Sequence, residues 1–245
     1  MQPRFLTGEP ALQVGKALVV ADLHVGIEYE FRQAGIQVPS QLEPMAERLE
    51  RLLKLTKASR LIILGDLKHK VPGTSWQELR ELPGLYKRLK VKPELVPGNH
   101  DGGIGNVIPE MRAHPSQGLL LGDAYLSHGH TWPGEEFLKA KWVVIAHSHP
   151  RVEFRDRLGY RWLEPVWLRG KMVKARIEKR YGKAGSLPEL IVMPAFNHFA
   201  GGVAVNRGLK DQELRGPPIK CMGLQKARAY LLDGTELGEV RKLKV

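Results

Sequence analysis

Five short apolar runs, each broken off by a cluster of Asp, Asn or His, constrain this chain more than any other feature of it. Residues 17–21 read ALVVA and end at Asp22; residues 60–64 read RLIIL and end at Gly65-Asp66. Residues 94–96 run into Pro97-Gly98-Asn99-His100-Asp101, and residues 119–126 end at Ser127-His128-Gly129-His130. Residues 142–146 read WVVIA and end at His147-Ser148-His149. Continuous apolar runs of this length, bounded by such breaks, predict buried strands. Between the first two, residues 41–57 place Leu42, Met45, Leu49, Leu52 and Leu53 on one helical face, with Glu and Arg opposite. Pro44 falls in the first turn, where its missing N–H costs little. A second helix is expected over residues 75–90, interrupted at Pro83-Gly84. Alternating strands and helices specify an α/β sheet, whose chemistry collects beyond the carboxyl ends of the strands. The polar clusters stand where that rule expects chemistry.

The chain has 245 residues and 42% hydrophobic content, enough to bury a substantial core. It shows no internal repeat and no linker, so a single domain over residues 1–245 is expected. No stretch approaches the roughly 20 apolar residues of a membrane span. The opening MQPRF lacks the apolar region of a signal peptide. Cys221 is the sole cysteine, which excludes an intrachain disulfide, and together these features lead to a cytoplasmic expectation. Thirty-eight Lys and Arg against 26 Asp and Glu give a net charge of +12, which favours phosphate-bearing partners. Residues 151–183 hold 11 of those basic residues and only four acidic ones, interleaved with Phe154, Tyr160, Trp162, Trp167 and Tyr181. Two readings of that stretch stand side by side. It tracks a nucleic-acid backbone with aromatics stacking on bases, or its tryptophans fill the core beneath a solvated charged face. No G-x-x-x-x-G-K-[ST] loop is present, so the chain has no P-loop of its own.

The strand ends together supply Asp22, His24, Asp66, Asn99, His100, His128, His147 and His149. The spacing of Asp22 and His24, and again of His147 and His149, predicts that each pair shares one face of an extended segment. Oxygen and imidazole donors without a thiolate suit Mn, Fe or Zn in a reactive site better than a structural zinc knot. Seven such ligands exceed what one tetrahedral ion needs. They suit two ions roughly 3.5–4 Å apart bridged by a carboxylate, an arrangement that favours phosphoester hydrolysis. Each residue taken alone has an ordinary explanation. Asp22 could cap a following segment, and Gly65-Asp66 and Gly98-Asn99 could be turns. Recurrence at five successive strand ends argues against coincidence.

ADLH (21–24), GDLKH (65–69), GNHD (98–101), HGH (128–130) and HSH (147–149) resemble the five motifs of the calcineurin-like metallophosphoesterases. More narrowly, ADLHVGIEYEFRQAGIQVPSQ, GDLKHKVPG and MPAFNHFAGG resemble a prokaryotic subgroup related to the nuclease subunits Mre11 and SbcD. The resemblance implies a four-layer αββα sandwich of the metallo-dependent phosphatase type. It implies one ion on Asp22, His24 and His149, a second on Asn99, His128 and His147, and Asp66 bridging both. His100 matches the family's non-ligand histidine, which contacts the scissile phosphate and protonates the leaving oxygen, help typically worth ~10²–10⁴-fold. Asp101 either orients His100 or is a plain turn residue. His69 and His130 are expected just behind the ligands, His114 and His198 at structural or surface positions. Two departures from the family pattern are Ala146, where Gly is usual before the last His-x-His, and the basic Lys68 after Asp66. The implied cofactors are two divalent ions, Mn first and Fe, Zn or Ni as alternatives. The implied activity is phosphoester hydrolysis by water activated at the ions, in particular phosphodiesterase or nuclease action on DNA. A small-molecule phosphatase, or a non-catalytic interaction protein such as the family's retromer subunit, is the alternative.

Overall fold

The computed structural model describes residues 2–182, 184–207 and 216–243. The first sheet is built from β1 (Arg4–Phe5), β2 (Leu12–Val14), β3 (Ala17–Val20), β4 (Arg60–Leu64), β5 (Pro93–Val96) and β6 (Arg112–Ala113), in that spatial order. β3, β4, β5 and β6 run parallel, with Leu18 opposite Leu61 and Ile63 opposite Leu95. The second sheet comprises β7 (Leu119–Leu121), β8 (Ala124–Leu126), β9 (Trp142–Ile145), β10 (Pro150–Arg155), β11 (Arg161–Lys171), β12 (Glu189–Val192), β13 (Val203–Ala204), β14 (Arg228–Leu231) and β15 (Glu236–Glu239). Its main path runs β13-β10-β11-β12-β9-β8-β7, with β14 on β11 and β15 on β14. The helices are α1 (Ile27–Gln33), α2 (Leu42–Thr56), α3 (Trp76–Arg88), α4 (Ile104–Val107), α5 (Lys174–Tyr181) and α6 (Pro217–Lys220).

The period-two geometry of the strands sorts their side chains into three cores. Val19, Ile62, Leu64 and Val96 face Ala124, Leu126, Val144, Ala146 and Ile191 between the two sheets. Leu18, Val20, Leu61, Ile63 and Leu95 turn the other way, onto Met45, Leu49 and Leu52 of α2 and Leu82 and Leu85 of α3. Val143, Ile145, Leu168, Leu190 and Val192 pack outward against Ile177 of α5 and Ile219 of α6. The result is helix, sheet, sheet, helix, as expected. Both faces of both sheets are covered, which is why their strands read as continuous apolar runs rather than alternating ones.

Two local expectations are corrected. Residues 119–126 are not one strand but the hairpin β7–β8, with Leu121 opposite Ala124 across Gly122-Asp123; Gly122 takes a left-handed φ of 59° that makes the tight turn. Pro83 does not interrupt the second helix, because α3 continues from Trp76 to Arg88. A complete capping box of Ser75 and Glu78 secures its start, while Leu82 and Leu85 anchor it in the core. Leu79, whose carbonyl loses its N–H partner to Pro83, is exposed. The basic stretch divides between both earlier readings. Trp167 lies in the inter-sheet core, while Tyr160 and Trp162 are exposed on β11 and the turn before it. Lys183 lies outside the described residues.

Candidate metal centre

β3, β4 and β5 are parallel to one another, and so are β8 and β9, so each set delivers its polar cluster at the same end. The chain leaves these strands in an unusual way. Asp22, His24, Asp66, His147 and His149 have φ of 55°, 44°, 51°, 67° and 40°, and the sole other non-glycine residue in this region among those described is Lys57, which ends α2. Left-handed backbone is rare for non-glycine residues and least unfavourable for Asp, Asn and His. This corrects the expectation that Asp22 and His24, and His147 and His149, share a face of an extended segment. The segments have left the sheet, and the left-handed kinks converge the side chains instead. Backbone bonds hold the kinks: Asp22 N–H donates to Gly65 O at 3.1 Å and His24 N–H to Asp66 O at 2.8 Å.

Two groups of ligand atoms result. Asp22, His24 and His149 each present one such atom, all within 4.8 Å of one another, and Asp66, His128 and His147 form a second group on the same criterion. Asp66 stands between them, its Oδ2 3.8 Å from His24 Nε2 and 3.3 Å from His128 Nε2. Asn99 joins the second group, with Oδ1 3.3 Å from His128 Nε2. The other ring nitrogens are fixed from behind. His128 Nδ1 donates to Leu64 O at 2.8 Å, and His149 Nδ1 to Ala200 O at 3.1 Å, which leaves each Nε2 free to ligate. A Cβ at Gly65 would collide with the His128 ring and one at Gly98 with the Asp66 carboxylate, so close backbone approach requires glycine at both.

Asp22 Oδ1 and His149 Nε2 are buried and without hydrogen-bond partners, although they lie 3.3 Å apart. A buried carboxylate oxygen and a ring nitrogen facing each other unbonded fit a cation between them. The electrostatics agree. Burial opposes ionisation of Asp22, yet the charges of His149 and His128 outweigh it and hold the carboxyl below its ordinary value. Burial likewise opposes ionisation of Asp66, and hydrogen bonding from His128 overrides it. Burial lowers His24 to about 3, and burial with the neighbouring His128 lowers His147 to about 4. Neutral imidazole and ionised carboxylate are the forms that bind metal.

His100 lies at the mouth of a cleft of about 300 Å³ lined also by His24, His69, His147 and His149. Its Nδ1 donates to the backbone carbonyl of His69, and its own N–H donates to Asp66 Oδ1 at 2.9 Å. His69 in turn pairs with Glu30, and its Nδ1 approaches His24 Nδ1 at 3.3 Å. His130 sits behind the second group, its ring 5.2 Å from that of His128. His114 pairs with Glu94 at 2.8 Å, and His198 packs beside Arg48, both away from the ligand groups. The buried ammonium of Lys68 is bound by the carbonyls of Lys70 and Gly73 at 2.6 and 2.7 Å. The Ala146 methyl packs in the inter-sheet core.

Two residues carry more of the site than their types suggested. Asp101 does not orient His100. It is buried, and its two carboxylate oxygens accept N–H groups from Gly98 (2.7 Å), Asp66 (2.8 Å), Leu67 (2.9 Å) and Lys68 (3.3 Å), tying the β4 and β5 loops together. Asp101→Asn, which puts an amide donor against one pair of those N–H groups, is expected to lower stability by about 3 kcal/mol. A denaturation midpoint equal to wild type would remove this role. Asn197, within the MPAFN segment, donates from Nδ2 to Leu23 O at 2.8 Å and so braces the Asp22–His24 kink. Its place in that motif was the one sequence signal for it.

A model of the calcineurin-like phosphoesterases matches residues 15–182 of the sequence. The chain belongs to that family. The family is metal-dependent and hydrolytic, which gives the His and Asp clusters their chemical context. No curated protein matches the sequence. The solved structure of the Pseudomonas putida nuclease MPE is similar over 94% of this chain and 95% of that one, at 22% identity and a TM-score of 0.58, which shows a shared fold. Yfce, a phosphoesterase from E. coli, is similar over 57% of this chain and 73% of that one, at 20% identity and a TM-score of 0.36. Among the described residues, no helix of this phosphoesterase is long and apolar enough to cross a membrane.

Proposed function

We propose that this calcineurin-like phosphoesterase is a di-metal phosphodiesterase of the Mre11/SbcD-related subgroup that cleaves DNA, with Mn as its working metal. The observation that supports it is Asp66, whose one carboxylate oxygen faces a histidine of each ligand group at 3.8 and 3.3 Å. In this reading Asp22, His24 and His149 hold one ion, Asn99, His128 and His147 the other, and Asp66 both. Two ions so held supply Lewis-acid stabilisation of the phosphoryl oxygens and lower the pKa of a bound water.

The remaining roles belong to the side chains. With Nδ1 committed to the His69 carbonyl, His100 has only Nε2 to offer the cleft. Protonated there, it donates to the departing oxygen and returns to the Nδ1–H tautomer that the His69 carbonyl already favours. His69, pinned by Glu30, keeps that carbonyl in place. The net charge of +12 draws an anionic polymer towards the cleft.

Hydrolysis of bis(p-nitrophenyl) phosphate and cleavage of labelled single-stranded DNA in Mn²⁺, both abolished by EDTA, are the expected results. Faster turnover of p-nitrophenyl phosphate than of either diester would favour a small-molecule phosphatase. No turnover by protein carrying two ions would point to an interaction protein.

A further inference from the structure

A second chemically distinct surface stands at the tip of the β10–β11 hairpin. Phe154 and Trp162 are direct cross-strand partners whose rings are 5.5 Å apart and 19° from parallel. Tyr160 continues the row, 6.2 Å from Trp162 and inclined to it by 22°. A cross-strand aromatic pair has an ordinary use as a hairpin staple, worth ~0.2–1 kcal/mol. A staple does not require exposure, yet Tyr160 is 68% and Leu158 95% exposed. The turn that carries them is well built: the Asp156 carboxylate accepts from the backbone N–H groups of Leu158 (2.9 Å) and Tyr160 (2.8 Å). Arg155 and Arg157 flank the row and are exposed, while Arg161 reaches Glu153 at 3.3 Å. β10 starts at Pro150, directly after the ligand His149, so the row is tied to the metal centre by a single strand. Phe154 lies five residues beyond His149, about 17 Å of extended chain.

We propose that the Phe154–Trp162–Tyr160 row is a docking platform for unpaired bases of single-stranded DNA, placed so that the strand runs along the hairpin to the metal centre. This rests on the nuclease reading above. Aromatic faces stack on any base while flanking cations engage phosphates, and this pairing of features is what sequence-tolerant single-strand binding uses. Bases of an intact duplex are already stacked and offer no such face. At ~3.4 Å per nucleotide of a helical strand, the span to the metal centre corresponds to about five nucleotides. A dinucleotide therefore reaches one end or the other, and a longer strand reaches both.

The test is fluorescence anisotropy of a labelled oligothymidylate in EDTA, where the strand stays intact, alongside Mn²⁺-dependent hydrolysis of bis(p-nitrophenyl) phosphate by the same preparations. Trp162→Ala and Tyr160→Ala are each expected to weaken binding about ten-fold or more. Both are expected to lower the ratio of oligonucleotide to bis(p-nitrophenyl) phosphate turnover by a similar factor. Trp162→Phe restores most of the binding and Trp162→Leu does not, which separates stacking from apolar burial. Trp76→Ala, at an exposed tryptophan of α3, leaves binding at the wild-type level. Equal binding by wild type and both alanine variants would overturn the proposal and leave the row a hairpin staple. A change in sedimentation in those variants without a change in binding would overturn it too, and assign the row to a second copy of the chain. Hydrolysis of bis(p-nitrophenyl) phosphate by a wild type that binds no oligonucleotide overturns the platform alone. Absence of that hydrolysis overturns the phosphodiesterase reading instead.

Discussion

Asp66→Asn is expected to abolish metal-dependent turnover while the chain stays folded. Asparagine has nearly the same shape, tolerates the left-handed backbone that Asp66 adopts (φ 51°), and can still accept the His100 N–H. What it lacks is the charge that faces both ligand groups. Losing several kcal/mol of charge stabilisation at a two-ion centre corresponds to a drop of ~10³-fold or more. Asp66→Ala should be equally inactive and less stable, because alanine in that conformation is strained by ~1–3 kcal/mol. Circular dichroism, melting curves and metal content measured beside the rate distinguish loss of chemistry from loss of fold. Undiminished turnover by a folded Asp66→Asn variant would remove Asp66 from the bridging position.

His100→Ala is the second large effect, and it should fall unevenly on substrates. If His100 protonates the departing oxygen, its loss costs ~10²–10⁴-fold on a dinucleotide, whose alkoxide leaving group needs the proton. Loss on bis(p-nitrophenyl) phosphate should be much smaller, because p-nitrophenolate leaves without one. Both ions should stay bound, since His100 belongs to neither of the groups proposed to hold them. An equal loss on both substrates would argue against proton donation, and loss of an ion would make His100 a ligand.

Much of this architecture was readable from the chain because buried parallel strands leave a strong trace. ALVV, RLIIL and WVVI are apolar throughout since both faces of each sheet are covered, and each ends where a polar residue becomes affordable. The leucine spacing of α2 was equally plain, since one face of that helix meets a core and the other meets water. The hairpin at Gly122-Asp123 was missed because two turn residues inside an apolar run look like an interruption of one strand. Pro83 misled because tertiary anchoring through Leu82 and Leu85 outweighs a local penalty of about 3 kcal/mol. The site's residue types were legible, but its means of convergence was not. Left-handed φ at Asp and His has no signature in spacing, and a two-residue repeat suggests extended chain. Asp101 was misjudged for a related reason. A carboxylate that accepts four backbone N–H groups has the same local sequence as a plain turn.

The left-handed backbone at Asp22, His24, Asp66, His147 and His149 bears on how such a centre survives over evolutionary time. At each of these positions glycine would relax the main chain while deleting a side chain the chemistry needs. A lineage no longer selected for hydrolysis would therefore find its first mutations downhill, each gaining up to about 1 kcal/mol of stability. Restoring a lost residue runs uphill by the same amount. Decay of the centre thus resembles a ratchet, and the presence of all five side chains in one chain marks continuous selection for what they do together.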